Sequence, residues 1–149
     1  MTKFLLAVHV IAAIVAIGPV TVAASMFPPT ARKALAAPDD AQALATTRLL
    51  HRICRVYATV GVVVPVFGFA TASTMGVLGD TWLLVSIALT ALAAVVLAAL
   101  VLPRQSAVLE GAGHRAATVQ LAMFTGIFNL LWATVTILMI IRPGSTTGA

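Results

Sequence analysis

Apolar residues follow one another in four long runs along the chain, at 4–27, 53–75, 82–102 and 118–141, and Arg55 is the only charged residue within them. Each run matches the roughly 20 helical residues that cross a bilayer. Backbone groups in lipid have no water to pair with, so these runs must be helical. They lack the alternation of apolar and polar residues that marks the strands of a membrane barrel. The pattern predicts an all-α, polytopic integral membrane protein, a four-transmembrane-helix bundle forming one domain over residues 1–149.

Composition supports this interpretation and narrows the classes of function. Hydrophobic residues make up 61% of the chain and charged residues 9%, with a mean hydropathy of +1.09. Because a water-soluble domain carries about 25% charged residues, an ordinary cytosolic enzyme, a disordered protein and a secreted disulfide scaffold are all excluded. The single Cys54 cannot form an internal bridge. The net charge of +5 indicates membrane topology and anionic lipid, with no nucleic-acid partner.

The basic residues predict which way the bundle faces. Lys3 and Arg142 are the only basic residues near the termini, and the short turn 76–81 has none. Six others lie between spans one and two or between spans three and four, namely Arg32, Lys33, Arg48, Arg52, Arg104 and Arg115, and Arg55 lies just inside the same end of span two. Since cytoplasmic loops carry the excess of Lys and Arg, we expect cytoplasmic loops at 28–52 and 103–117, and both termini outside.

Proline, glycine and acidic residues predict the structure between the spans. Pro28 and Pro29 are expected to end the first span, and residues 39–75 to form one long helix that Pro65 kinks. The first apolar run exceeds the 7–15 residues or so of a signal-peptide core, so we expect it to be retained. Loop 103–117, which contains two glycines, is expected to be flexible, and the tail 143–149 to be disordered.

Small residues repeat at spacings of three or four in two of the spans, as they do where membrane helices pack closely. The residues are Gly61, Pro65, Gly68, Ala72 and Gly76 in span two and Ser86, Thr90, Ala94 and Ala98 in span three. We expect these two stripes to face each other across the short turn. Chance is the alternative explanation, because the chain is rich in alanine.

Few polar side chains lie within the spans. Asn129, near the middle of span four, should point into the bundle and bond across helices. Ser86, Thr90 and Thr136 fall at the same outer level as His9, so a cavity there, if present, would have His9 as its only strong ligand or base. The alternative is a polar layer of interhelical hydrogen bonds. His51 is expected to be a solvated interfacial residue. No catalytic residue and no metal site is predicted.

Several short motifs occur in an order that resembles one group of small membrane proteins. They are Phe4-Leu-Leu-Ala-Val-His9 with Gly18, Arg52-Ile-Cys-Arg-Val-Tyr57 with Gly68, Asp80-Thr-Trp-Leu83 and Ile140-Ile-Arg-Pro143. The group comprises the HemJ-type protoporphyrinogen oxidases, the CopD-type copper-resistance membrane domain, and uncharacterised four-helix integral membrane families, which are the better match. The resemblance implies a multi-pass protein of the bacterial plasma membrane and a haem b ligand role for His9. Where HemJ-type enzymes require a lysine early in the third helix, this chain has Ser86 or its neighbours.

Three hypotheses for function follow. The leading one is a small, non-catalytic accessory or interaction subunit of a membrane complex, with the bilayer and other membrane proteins or a second copy as partners. The second is a haem- or porphyrin-binding redox protein that uses His9. The third is a component of metal or small-molecule transport.

The distribution of basic residues predicts on which side of the membrane each loop and terminus lies. Reporter domains inserted in the turn 76–81 or fused after Arg142 should report an outside location, and reporters inserted at 38–47 an inside location. Enzymatic reporters active on only one side of the membrane would measure this. A C-terminal reporter found in the cytoplasm would contradict the orientation.

Overall fold

The computed structural model describes residues 1–145, and every regular element in that range is a helix. The helices are α1 (Thr2–Ala36), α2 (Ala41–Val60), α3 (Val63–Met75), α4 (Thr81–Val95), a π-helical segment (Val96–Val101), α5 (Leu102–Ala107), a second π-helical segment (Val108–Ala112) and α6 (Arg115–Ile141). They join into four rods at Thr2–Ala36, Ala41–Met75, Thr81–Gly111 and Arg115–Ile141, each long and apolar enough to cross a membrane. The predicted all-α class with four apolar helices is confirmed.

The first rod passes through the two prolines that were expected to end it. A proline inside a helix removes one backbone hydrogen bond and crowds the preceding turn. Here Phe27 and Pro28 are fully buried and Ala31 is 1% exposed, so close packing on both sides of the break holds the chain helical to Ala36. The expected loop at 28–52 is therefore helical except for residues 37–40.

The second rod is the long helix that the sequence predicted, with a break inside it. Asp40 begins α2 by accepting a hydrogen bond from the N–H of Ala43 at 3.1 Å, the usual role of an acidic residue at this position. Pro65 has no N–H to offer the carbonyl of Gly61. The N–H of Val64 bonds to that carbonyl instead, at 3.1 Å, and a turn separates α2 from α3.

The third rod contradicts the flexible loop expected at 103–117. Pro103 would interrupt an α-helix, but the chain widens into π-helix before it and continues through α5 to a second π-helical segment. The helical path ends only at Gly111, whose φ of +98° is accessible mainly to glycine. His114 then begins α6 by accepting from the N–H of Ala117 at 3.0 Å. Of the tail, residues 146–149 lie outside the described range.

Helix α1 lies at the centre of the bundle, with α2 and α3 on one side and α6 on the other, while α4 packs against α6. The predicted pairing of small-residue stripes from spans two and three is therefore wrong. Gly61 faces Ile17 and Gly68 faces His9, both residues of α1. The missing side chain at Gly68 makes room for a ring: a Cβ built there would lie 3.0 Å from Cε1 of His9.

Replacing Gly68 with alanine tests this contact. The new Cβ must displace the His9 ring, and overpacking of this kind costs about 1–3 kcal/mol. Val66→Ile is the control, because it also adds one carbon to α3, at a position that is 61% exposed. Unfolding in mixed detergent micelles should show lower stability for Gly68→Ala and unchanged stability for Val66→Ile. Equal stabilities would mean that α3 does not pack on His9.

Candidate functional site

His9 lies two turns into α1, and its ring reaches across to α3. Nδ1 lies 2.9 Å from the carbonyl oxygen of Val64. Because a carbonyl oxygen can only accept, Nδ1 carries the hydrogen and Nε2 keeps a lone pair in the neutral ring. Nε2 has no hydrogen-bond partner among residues 1–145 and is not enclosed by them. The imidazole is thus fixed in one tautomer with one nitrogen open.

The hydroxyl groups expected at the level of His9 are satisfied within their own helices. Ser86, Thr90 and Thr136 each donate to the carbonyl oxygen four residues earlier, at 2.7, 2.7 and 3.0 Å. Ser86 is fully buried, whereas Thr136 is exposed. None of these bonds joins His9, so a cavity around His9 stays a prediction.

Asn129 bonds across helices, as predicted. Its Nδ2 donates to Oγ of Ser25 in α1 at 3.0 Å. Three polar atoms on α1 and α6 are buried and have no hydrogen-bond partner in the described chain. They are Oγ1 of Thr21, Oγ1 of Thr125 and Oδ1 of Asn129. These are the buried side-chain polar atoms that the described chain leaves unpaired, and burying such atoms without a partner costs free energy.

Two of the motifs behind the family resemblance meet at the turn that joins α3 to α4. Trp82 donates its ring N–H to Oδ2 of Asp80 at 3.0 Å, and the guanidinium of Arg142 lies 5.6 Å from the centre of the Trp82 ring. A cavity of about 330 Å³ lies beside them. Such an aromatic and charged cluster is typical of a membrane–water interface.

A buried polar network lies at the opposite end of the bundle, between α2 and α5. Ser106 Oγ lies 3.2 Å from Nε2 of His51, and Nδ1 of His51 lies 2.8 Å from Oε1 of Gln105. Nε2 of Gln105 donates to Sγ of Cys54 at 3.7 Å. These bonds fit together if Ser106 donates to His51 and His51 donates to Gln105. Gln105 and Cys54 are fully buried, and His51 is 8% exposed.

The expectation that His51 is solvated is therefore wrong. The sequence placed Gln105 and Ser106 in a flexible loop, so nothing in it indicated a partner for His51. If the third helix had been predicted to continue through Pro103, Gln105 and Ser106 would have been expected at the level of His51. The ring of Phe27 closes the site from α1, with 6.4 Å between the ring centres.

A serine that donates to a histidine, which a third residue orients, has the connectivity of a nucleophile and its base. The orienting group here is a neutral amide, which cannot stabilise an imidazolium ion as a carboxylate does. The bonds of His51 in α2 to Gln105 and Ser106 in α5 fasten these two helices to each other. Within the described residues, no group of three His, Cys, Asp or Glu side chains could hold a metal ion.

Comparison of the chain with protein-family models, curated proteins and solved structures finds no match. The resemblance to HemJ-type and CopD-type proteins, and the transport hypothesis that accompanies it, therefore stay predictions.

Replacing Gln105 with leucine tests the network. The substitution keeps the approximate volume but leaves the N–H of His51 buried without an acceptor, which costs about 1–3 kcal/mol. Gln42→Leu, at an exposed position of α2, is the control and should change the stability by less than about 0.5 kcal/mol. Thermal unfolding in detergent would measure both. Gln105→Leu as stable as the unmodified protein would contradict a fastening role.

Proposed function

We propose that the protein is a multi-pass protein of the bacterial plasma membrane, with both termini outside, and that it works there as a non-catalytic interaction subunit. Four rods of suitable length and hydropathy support the membrane location. Six of the nine basic residues lie between the first and second or the third and fourth spans, and Arg55 lies at the same end of the second span. This distribution supports the orientation.

One observation carries the interaction role: a polar edge formed by Ser25 of α1 with Gly126 and Asn129 of α6. Asn129 precedes Arg142 by thirteen residues, which is about 20 Å of helix, so it lies inside the apolar layer if Arg142 marks the surface. Ser25 is exposed and accepts from Asn129. Its own hydroxyl hydrogen has no acceptor among residues 1–145, and lipid offers none.

The partner that fits this edge is a second copy of the chain. A two-fold axis along the membrane normal brings the same residues of both copies to the same depth, so the exposed hydroxyl of one copy meets the polar edge of the other. Gly126 allows close approach, because no other atom lies within 4 Å of a Cβ built there. Small residues and interhelical hydrogen bonds are what drive helices together in lipid.

Cysteine cross-linking in membranes tests self-association. In a Cys54→Ser background, Gly126→Cys should form a disulfide dimer under mild oxidation. Leu92→Cys, on the exposed side of α4, is the control and should stay monomeric. Adding Asn129→Leu should weaken the dimer by roughly 2- to 30-fold, in line with interhelical bonds worth about 0.5–2 kcal/mol. Equal cross-linking at positions 126 and 92, or none at 126, would overturn the proposal.

A second candidate function is the binding of haem b or another porphyrin through His9, favoured by the tautomer of that ring. Ligating histidines commonly donate their other N–H to a backbone carbonyl, which orients the ring and raises its basicity. The bond from Nδ1 to Val64 supplies this support and leaves Nε2 free to ligate iron. Bound iron would add redox chemistry; the chain itself would hold and orient the group.

The absorption spectrum tests the second candidate. Protein purified from cells, or mixed with haemin, should show a Soret band that is lost in His9→Ala while circular dichroism stays unchanged. His51→Ala is the control and should keep the band, since both nitrogens of that ring are engaged elsewhere. Colourless protein that does not take up haemin would exclude porphyrin binding.

A further inference from the structure

A groove runs along the exposed side of α2 next to the buried network. It is an open groove of about 500 Å³, lined by residues of α2: His51, Arg52, Arg55, Val56 and Thr59. The His51 ring is held by Gln105 and Ser106, so this part of the lining is fixed. Arg52 and Arg55 are exposed.

Within residues 1–145, the basic residues of this face form no ion pair. Arg48, Arg52 and Arg55 recur at helical spacing on one side of α2, and none of them pairs with an acidic side chain of the described chain. Two of the four acids have other partners, since Asp40 caps α2 and Asp80 bonds to Trp82 beyond α3. A surface with only positive charge is complementary to an anion.

The same side of α2 changes from basic to apolar along the helix. Beyond Arg52, the exposed residues at successive turns are Val56 and Val60, which are 50% and 43% exposed, and Val63 follows them at 42%. An anionic phospholipid has a negatively charged headgroup followed by an apolar acyl chain. This order matches the basic and then apolar side chains along the helix. A free phosphate or nucleotide would contact only the arginines.

We infer that this groove binds a phospholipid with a net negative headgroup, its phosphate held by Arg52 and Arg55 and its acyl chain lying along Val56 and Val60. Arginine is suited to this role because its planar group can contact phosphate oxygens in pairs. Basic pockets beside membrane helices on the cytoplasmic side commonly select anionic lipids. This inference rests on the proposed membrane location but not on self-association or porphyrin binding.

Lipid binding to the purified full-length protein in neutral detergent tests the inference. Phosphatidylglycerol, phosphatidylcholine and inorganic phosphate are titrated separately at about 0.15 M salt, where long-range attraction between charges is screened beyond about 8 Å. Protection against thermal unfolding reports binding. We expect protection by phosphatidylglycerol only, and loss of about ten- to thirtyfold in affinity for the Arg52→Gln/Arg55→Gln double variant.

A matched control removes the same charge elsewhere. Lys33 and Arg115 are also exposed basic residues beside the predicted cytoplasmic loops, so Lys33→Gln/Arg115→Gln should keep the affinity within about twofold if the groove is the site. An equal loss in both double variants would overturn the inference in favour of general attraction between charges. Equal protection by phosphatidylcholine would overturn selection for an anionic headgroup.

Val56→Ser distinguishes a lipid from a free anion and keeps both arginines. It should weaken binding of phosphatidylglycerol several-fold, since the acyl contact loses apolar area. Protection by inorganic phosphate that matches that of phosphatidylglycerol, with no effect of Val56→Ser, would overturn the lipid assignment. Self-association is tested separately by cross-linking at position 126. A negative result there would not change what the lipid titrations show.

Discussion

A chain that is 61% hydrophobic and 9% charged has few polar side chains with which to satisfy its backbone, and this constraint dictates the rest of the structure. Helices pair the backbone groups internally, so the four apolar runs form four rods of 35, 35, 31 and 27 residues. In a bilayer, rods longer than the roughly 20 residues of a span would extend beyond the apolar layer. Their extensions bring together the basic residues, the buried network and the groove at one end.

Side chains within the rods meet the same constraint in three ways. Hydroxyl groups such as that of Ser86 return to the backbone of their own helix. His9 and Asn129 bond across to a neighbouring helix. His51 and Gln105 hydrogen-bond to each other within the buried network. Nε2 of His9 and polar atoms at the edge formed by α1 and α6 have no partner within the described chain. The proposed porphyrin site uses the first, and the proposed contact with a second copy uses the others.

The sequence predicted the class and the four spans because length and hydropathy depend on local composition alone. It also predicted the cross-helix bond of Asn129, since an amide in mid-helix has few alternatives in lipid. It could not predict that α1 continues through Pro28, because burial of Phe27 and Ala31 by other helices decides that. For the same reason it paired the small-residue stripe around Gly68 with the wrong helix. Which helices are neighbours depends on contacts between distant segments, and His51 was misjudged because its partners are 54 and 55 residues away.

Hydrogen–deuterium exchange of the protein in lipid nanodiscs tests the central claim most directly, namely that four helical rods with short connections make up the described chain. The account predicts slow exchange through 4–27, 63–75, 82–102 and 118–141. Protection should continue through 28–36 and 103–110, whereas residues 37–40 and 113–114 should exchange fast. Fast exchange throughout 28–36 and 103–110 would restore the loops that the sequence predicted there, and fast exchange within any of the four spans would contradict the bundle itself.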